Sequence, residues 1–239
     1  MTCMKLKGTF FVLVSVLITE CCLAQTSNAN ILPKGFMALF DGRTLKGWKA
    51  ANMDWWTVKD GAITAEITSE KPCKDNQYLF SEYGVMEDFE LRLTHRLVSE
   101  HNVNGGFQFR SEHYEGDDCK GYQVDNNTKT DWLVRLYDEF GRHTLAYRGK
   151  KTVFDEDGNR CTTNLKKTLK DPHFELGDWH DYILICKGDK LTLYVNGVLV
   201  AKVIDKDLKN KDVSGLLALQ LHSGKPMLVQ FKNIWFKKL

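Results

Sequence analysis

The stretch DYILICKGDKLTLYVNGVLVAKV, residues 181–203, contains three apolar runs separated by Gly188-Asp189 and by Asn196-Gly197. Asn-Gly is the preferred pair for a two-residue type I′ hairpin turn, because both residues accept positive φ. Short alternating runs joined by such turns predict consecutive antiparallel strands, not helices. The same period of two runs outward in both directions. FELRLTHRLV (89–98) sets Phe89, Leu91, Leu93, His95 and Leu97 on one face against Glu90, Arg92, Thr94 and Arg96 on the other. GGFQFR (105–110) opposes Phe107 and Phe109 to Gln108 and Arg110, and MLVQFKNIWF (227–236) alternates again. Long amphipathic helices are absent from the pattern, and LKNKDVS (208–214) offers a helical turn at most. The expected fold class is all-β, a sandwich or barrel. Residues 138–178, rich in Gly, Asp, Asn and Lys, read as a less regular segment with functional loops.

LLALQLHSG (216–224) raises the functional question. Leu217, Leu219 and Leu221 share one strand face; Leu216, Ala218, Gln220 and His222 share the other. One side is suited to a core, and the opposite side turns polar. Gln123 and Asp125 likewise lie opposite Tyr122 and Val124, and Gln108 and Arg110 opposite two phenylalanines. If these strands are neighbours, a base, an acid, a guanidinium and several amides converge. The plain alternative is solvation, since polar residues on an outer strand face are ordinarily just wet.

The chain begins with two lysines, Lys5 and Lys7, and an apolar run from Gly8 to Ile18 that is too short to span a bilayer. With the small residue Ala24 this reads as a signal peptide over residues 1–24, followed by a linker over 25–34 and one domain over 35–239. A lipid anchor on Cys21 or Cys22 is the competing reading, disfavoured by Glu20 just before them. The expected location is therefore periplasmic or extracellular. Cutting after Ala24 leaves 215 of 239 residues, enough for one good core. The formal charge falls from +2 to +1 without Lys5, Lys7 and Glu20, which gives no long-range attraction to nucleic acid or an anionic membrane. Four cysteines remain (Cys73, Cys119, Cys161 and Cys186), none in a CxxC, and three disulfide pairings stay open.

Taken in order, FMALFDGRTLKGW (36–48), WTVKDGAI (56–63), DFELRLTHRL (88–97), NGGFQFR (104–110), GYQVDNN (121–127), LYDEFGRHTLA (136–146), GDWHDYILICKGDKLTLYVNG (177–197) and the closing GLLALQLHSGKPMLVQFKNIWFKKL (215–239) resemble the 3-keto-disaccharide hydrolase family (DUF1080). The resemblance covers about Gly35 to Leu239. It implies a concanavalin A-like jelly-roll sandwich of two antiparallel sheets, with sugars held on a concave face. It also implies chemistry on glycosides whose C3 hydroxyl is oxidised to a ketone. This chain departs from the family pattern at Gln123-Val124-Asp125, where Glu-Val-Gln is common.

The resemblance and the alternation together nominate His222, Asp125, Glu139 and Arg110 as catalytic residues. His222 suits a base by its near-neutral titration. Arg110 suits an enolate oxygen, and Asp125 or Glu139 suits the leaving-group proton. Gln108, Gln123, Asn126, Arg142, Gln220, Tyr122 and Trp132 are nominated to bind substrate. Asp125, Glu139 and His222 include ligand types fitting a divalent metal ion, although no metal-spacing motif such as HExxH occurs. The E-x-D-x-x-E strand motif of the glucanases sharing this fold is also absent. Trp48, Trp56, Trp179 and Trp235 read as core or rim packing. The function expected is an exported enzyme cleaving 3-keto glycosides through C2 deprotonation. The rival is a lectin-like module of the same fold that binds glycan without turnover; a purely structural surface protein is a weaker third.

Overall fold

The hairpin stretch that opens the argument forms three consecutive strands, and both residues of the Asn196-Gly197 turn have positive φ, 49° and 76°. The computed structural model describes residues 32–128, 134–165 and 177–239. Among these, one sheet of ten strands runs in spatial order β12 (Arg160–Asn164), β11 (Lys150–Phe154), β15 (Val198–Asp205), β14 (Lys190–Val195), β13 (His180–Lys187), β6 (Phe89–Val98), β17 (Met227–Lys238), β4 (Ala62–Ile67) and β3 (Trp56–Lys59), with β1 (Met37–Ala38) on β17. A second sheet of seven strands runs β10 (His143–Tyr147), β9 (Arg135–Glu139), β8 (Cys119–Asn127), β7 (Asn104–His113), β16 (Leu216–Leu221), β5 (Gln77–Ser81) and β2 (Trp48–Lys49). Pairing is antiparallel throughout except between β11 and β15. This is the expected jelly-roll sandwich.

The core lies between the sheets. Leu91, Leu93, Tyr182, Leu184, Leu193 and Phe231 of the larger sheet meet Phe107, Phe109, Tyr122, Val124, Leu217 and Leu219 of the smaller. Phe107 packs edge-on to Tyr182 at 5.8 Å and Phe109 to Phe89 at 6.5 Å, pairs worth about 0.5–1.5 kcal/mol each beyond area burial. His95, on the apolar face as its position in β6 requires, stacks on Phe231 at 4.4 Å and donates from Nδ1 to the Gln230 carbonyl. Burial pushes its titration down to about 4, so it is a neutral core residue at physiological pH.

One expectation needs correction. The described part of residues 138–178 up to 165 is more regular than its composition suggests, because it carries β10, β11 and β12. β10 and β12 are edge strands, and β12 is exposed along its whole length. β12 buries neither face, and a register shift between Thr144 and Ala146 interrupts β10, so neither shows the apolar alternation that reveals a strand in sequence. The segment 208–214 forms only turns. Among the described residues the four cysteines are free, Cys73, Cys119 and Cys186 buried and Cys161 exposed. The proposed leader, residues 1–24, lies outside the described residues. No described helix is long and apolar enough to cross a membrane.

Candidate functional site

Strand register places three lines of side chains on the face of the seven-stranded sheet turned away from the core. One line reads Tyr78, Gln220, Gly106, Asp125, Arg135 across β5, β16, β7, β8 and β9. The next reads Phe80, Ala218, Gln108, Gln123, Tyr137, Thr144. The third brings Glu139 opposite Gly121. The small second apolar cluster of Tyr78, Phe80, Cys119 and Ala218, with Leu216 packed on it, belongs to this face. Gln108, Gln123, Asp125 and Gln220, which alternation grouped, therefore lie on adjacent strands and a common face, Glu139 joins them there, and His222 follows the last residue of β16, close enough to act on Asp125.

Arg110 does not join them. A β-bulge between Phe109 and Ser111 inserts one extra residue into β7, and Arg110 adopts φ +47°. A bulge resets the alternation, so Arg110 leaves the face of Gln108. Its guanidinium donates to the carbonyls of Glu87 (2.9 and 3.0 Å), Gly188 (3.0 Å) and Asp212 (3.2 Å) and to Asp88 (3.3 Å), with the side chain 2% exposed. It fastens the end of one sheet to the β13–β14 turn of the other. Glycines flank the kink on both sides: a Cβ on Gly215 would come within 2.3 Å of the Arg110 carbonyl carbon, and one on Gly121 within 2.9 Å of its oxygen.

Three further nominees are held on the core side or at its margin. Tyr122 is fully buried; its hydroxyl donates to Asp205 at 2.5 Å and accepts from Arg142 and from the Asp212 amide. Arg142 donates to Asp138 (3.0 Å), Asp205 (2.6 and 2.9 Å) and Asp207 (3.3 Å). Asn126 shares the face of Tyr122 and Val124 and accepts from the Tyr182 hydroxyl at 2.9 Å. Period two dictates this for Asn126, whose face is that of the core residues two and four positions before it. Trp132 lies outside the described residues.

On the polar face, Asp125 is 1% exposed and salt-bridged to Arg135 at 2.5 Å, its other oxygen accepting from Asn104 at 2.8 Å. Burial pushes its carboxyl above the usual range, and Arg135, Asn104 and the nearby His222 pull it back. Arg135 is fixed in turn by Thr144 and by the Tyr137 ring. Glu139 has no such partner among the described residues. Burial, with the carboxylates of Asp125 and Asp118 adding to it, pushes it up to about 7 against the pull of Arg135. His222 is half-buried, with Nδ1 2.7 Å from the Ser223 carbonyl. A carbonyl only accepts, so Nδ1 carries the proton and Nε2 of the neutral ring is left as a base. Buried polar atoms here lack partners: Nε2 of Gln108 and of Gln123, Oε1 of Gln220 and Oδ1 of Asp118. An unpaired buried donor or acceptor is costly, about 1–3 kcal/mol each.

The residues do not suit a resident metal. Both oxygens of Asp125 are engaged, and no group of three His, Cys, Asp or Glu among the described residues is arranged to hold an ion.

Sequence reasoning missed Arg135, Tyr78 and Asp118. Arg135 was legible in RLYDE, where alternation places it with Tyr137 and Glu139. Tyr78 was legible in QYLF as the partner of Phe80. Asp118 belongs to the hairpin loop after β7, and nothing local announces its approach to Tyr78 and Glu139.

A family model described as a 3-keto-alpha-glucoside-1,2-lyase-like domain matches residues 35–237. Among curated proteins, none matches the chain by sequence. Similar solved structures include carbohydrate binding module CBM66 from Bacillus subtilis, 18% identical over 80% of this chain and 96% of that one, with a TM-score of 0.52. Another is SCLam, a non-specific endo-β-1,3(4)-glucanase from family GH16, 13% identical over 87% and 94%, TM-score 0.53. The carbohydrate recognition domain of Emp47p is 14% identical over 89% and 99%, TM-score 0.51. At these identities the likeness is one of fold.

Proposed function

The chain belongs to the 3-keto-alpha-glucoside-1,2-lyase-like family, and from that premise we propose that it cleaves 3-keto glycosides by elimination across C1 and C2. The ketone at C3 acidifies the hydrogen on C2. His222 Nε2 takes that proton, and the C2–H electron pair delocalises into an enolate whose oxygen is the former C3 carbonyl oxygen. Collapse of the enolate forms the C1–C2 double bond as the C1–O bond breaks. The departing oxygen takes its proton from Glu139. Water then adds to the unsaturated sugar, which gives net hydrolysis. The unpaired amide groups of Gln108 and Gln123 replace Arg110 as donors to the enolate oxygen. Gln220 contacts sugar hydroxyls, and Asp125 with Arg135 positions the face without giving up a proton.

The observation that carries this reading is the Glu139 carboxyl, held near neutrality on the same face as a histidine base and unpaired amides. A carboxyl titrating near the working pH is suited to proton transfer, whereas glycan binding alone does not require one. The basic, then apolar, opening of the chain supports export, so the substrate is expected outside the cytoplasm. The test is release of the leaving group from a 3-keto disaccharide by the purified domain, against the unoxidised sugar and with EDTA in parallel. Turnover of the keto sugar alone, unaffected by EDTA, is expected. Saturable binding without turnover would sink the enzyme reading in favour of a lectin.

A further inference from the structure

A cavity of about 450 Å³ opens beside the polar face, between β2, β5 and the hairpin loop after β7. Its floor is the Tyr78 and Phe80 rings, 6.3 Å apart, and Ala50, Ala51 and Leu216 line it as well. His113 lies on Phe80 at 3.9 Å and closes the far side. Tyr78 is common to the cavity and the acid group. Its hydroxyl accepts from Gln220 at 3.1 Å, and Glu139 and Asp118 lie close enough to raise the phenol, which burial already pushes well above its ordinary range.

Several polar groups of the cavity wall are already engaged. Tyr78 is held by Gln220, the Ser81 hydroxyl accepts from the Tyr83 amide, and the Gln77 amide donates to the Asp75 carbonyl. The charged groups Lys49, Glu82 and Asp117 are exposed at the rim. A sugar lying flat here would bring hydroxyls to a floor with few free partners, at a desolvation cost for each. A planar apolar ring would meet Ala51, Leu216 and the parts of Tyr78 and Phe80 that open to the cavity at no such cost.

We infer that this cavity receives the leaving group of the substrate, and that the preferred leaving group carries an aromatic ring. The inference rests on the reading that Glu139 and His222 act on the sugar. With the sugar over Gln108 and Gln123, the C1 oxygen sits at Glu139 and its substituent extends past Tyr78 into the cavity.

Two measurements separate this inference from the activity beneath it. The first is calorimetric binding of phenyl and methyl glucosides, both anomers and unoxidised, to the wild type, Ala51→Trp and Ala51→Ser. Ala51 is exposed, so neither change disturbs the core. Phenyl glucoside is expected to bind about 10-fold tighter than methyl, the size of a modest apolar contact. A51W should erase the difference by filling the cavity, and A51S should keep it. Equal binding of the two glucosides, or a preference surviving in A51W, would overturn the inference. The second is kcat/KM for phenyl and methyl 3-keto glucosides. A phenyl preference lost in A51W supports the cavity as the leaving-group site; equal values for both substrates overturn it. If neither is cleaved while the binding preference stands and A51W abolishes it, the aromatic site holds as a binding site, the leaving-group assignment falls, and the elimination reading fails.

Discussion

Two buried polar groups flank the seven-stranded sheet, and they are built on opposite terms. Around Arg142 the charges are largely matched: Asp138, Asp205 and Asp207 each accept from the guanidinium, and Tyr122 links it to Asp205. Around Glu139 the accounts stay open. Asp125 is matched to Arg135, but Glu139 has carboxylates for neighbours, and Gln108, Gln123, Gln220 and Asp118 each keep one atom unpaired. A satisfied network holds the sheets together; an unsatisfied one stores binding capacity for a molecule that is yet to arrive. Conserving charge type alone would not tell them apart, since both contain arginine and several aspartates.

The sharpest way to break that contrast is Glu139→Gln. If Glu139 gives the leaving-group proton, kcat should fall about 10²–10⁴-fold, with thermal stability unchanged or raised because a repelled carboxylate is gone. Loss of folding in place of loss of turnover would make Glu139 structural. Arg142→Ala should behave in the reverse way. It strands three carboxylates that are at most 3% exposed, which should cost about 3–5 kcal/mol and lower Tm by roughly 10 °C. A scanning-calorimetry change of less than about 2 °C would show that the network contributes little.

Gln123→Leu comes next. Removing an unpaired donor should lower kcat/KM by about 10²-fold while leaving the urea midpoint level or higher. A midpoint that drops would mean that the amide is already satisfied in the free protein. The smallest effect is on the pH dependence of stability. The folded value of Glu139, about 7, lies above its ordinary 4.5, so its contribution is fully present below about pH 4.5 and is lost as pH rises through about 7. Asp212, pushed to about 7 by burial with Asp138 adding to it, acts in the same direction from 3.8. Urea midpoints for the wild type should therefore fall between about pH 5 and pH 8. Glu139→Gln and Asp212→Asn should each remove part of that fall, and a wild-type midpoint that rises across the interval would contradict both assignments.

The strands of the sandwich were readable because each buries one face, and burial imposes period two on residues such as Phe107, Phe109, Leu217 and Leu219. The edge strand β12 escaped because nothing forces an apolar residue onto a face that meets water, and β10 because a register shift between Thr144 and Ala146 breaks its alternation. Within the site, Gln108, Gln123, Asp125 and Gln220 were legible as the polar side of strands with an apolar reverse. Tyr122 and Asn126 were legible as core by the same rule, had it been applied without regard to their chemistry.

Amino-acid order alone determined the sandwich, the polar face and the family likeness, since each is written in local alternation and turn residues. Tertiary structure decided the rest. One inserted residue at the bulge turned Arg110 from the polar face to the sheet end, and alternation within a strand holds no record of such a slip. Strand order put β16 between β7 and β5, so that Gln220 meets Tyr78 across 142 residues of chain. The near-neutral carboxyl of Glu139 belongs to the same category. It depends on burial and on Asp125 and Asp118, and charges act through space, not along sequence.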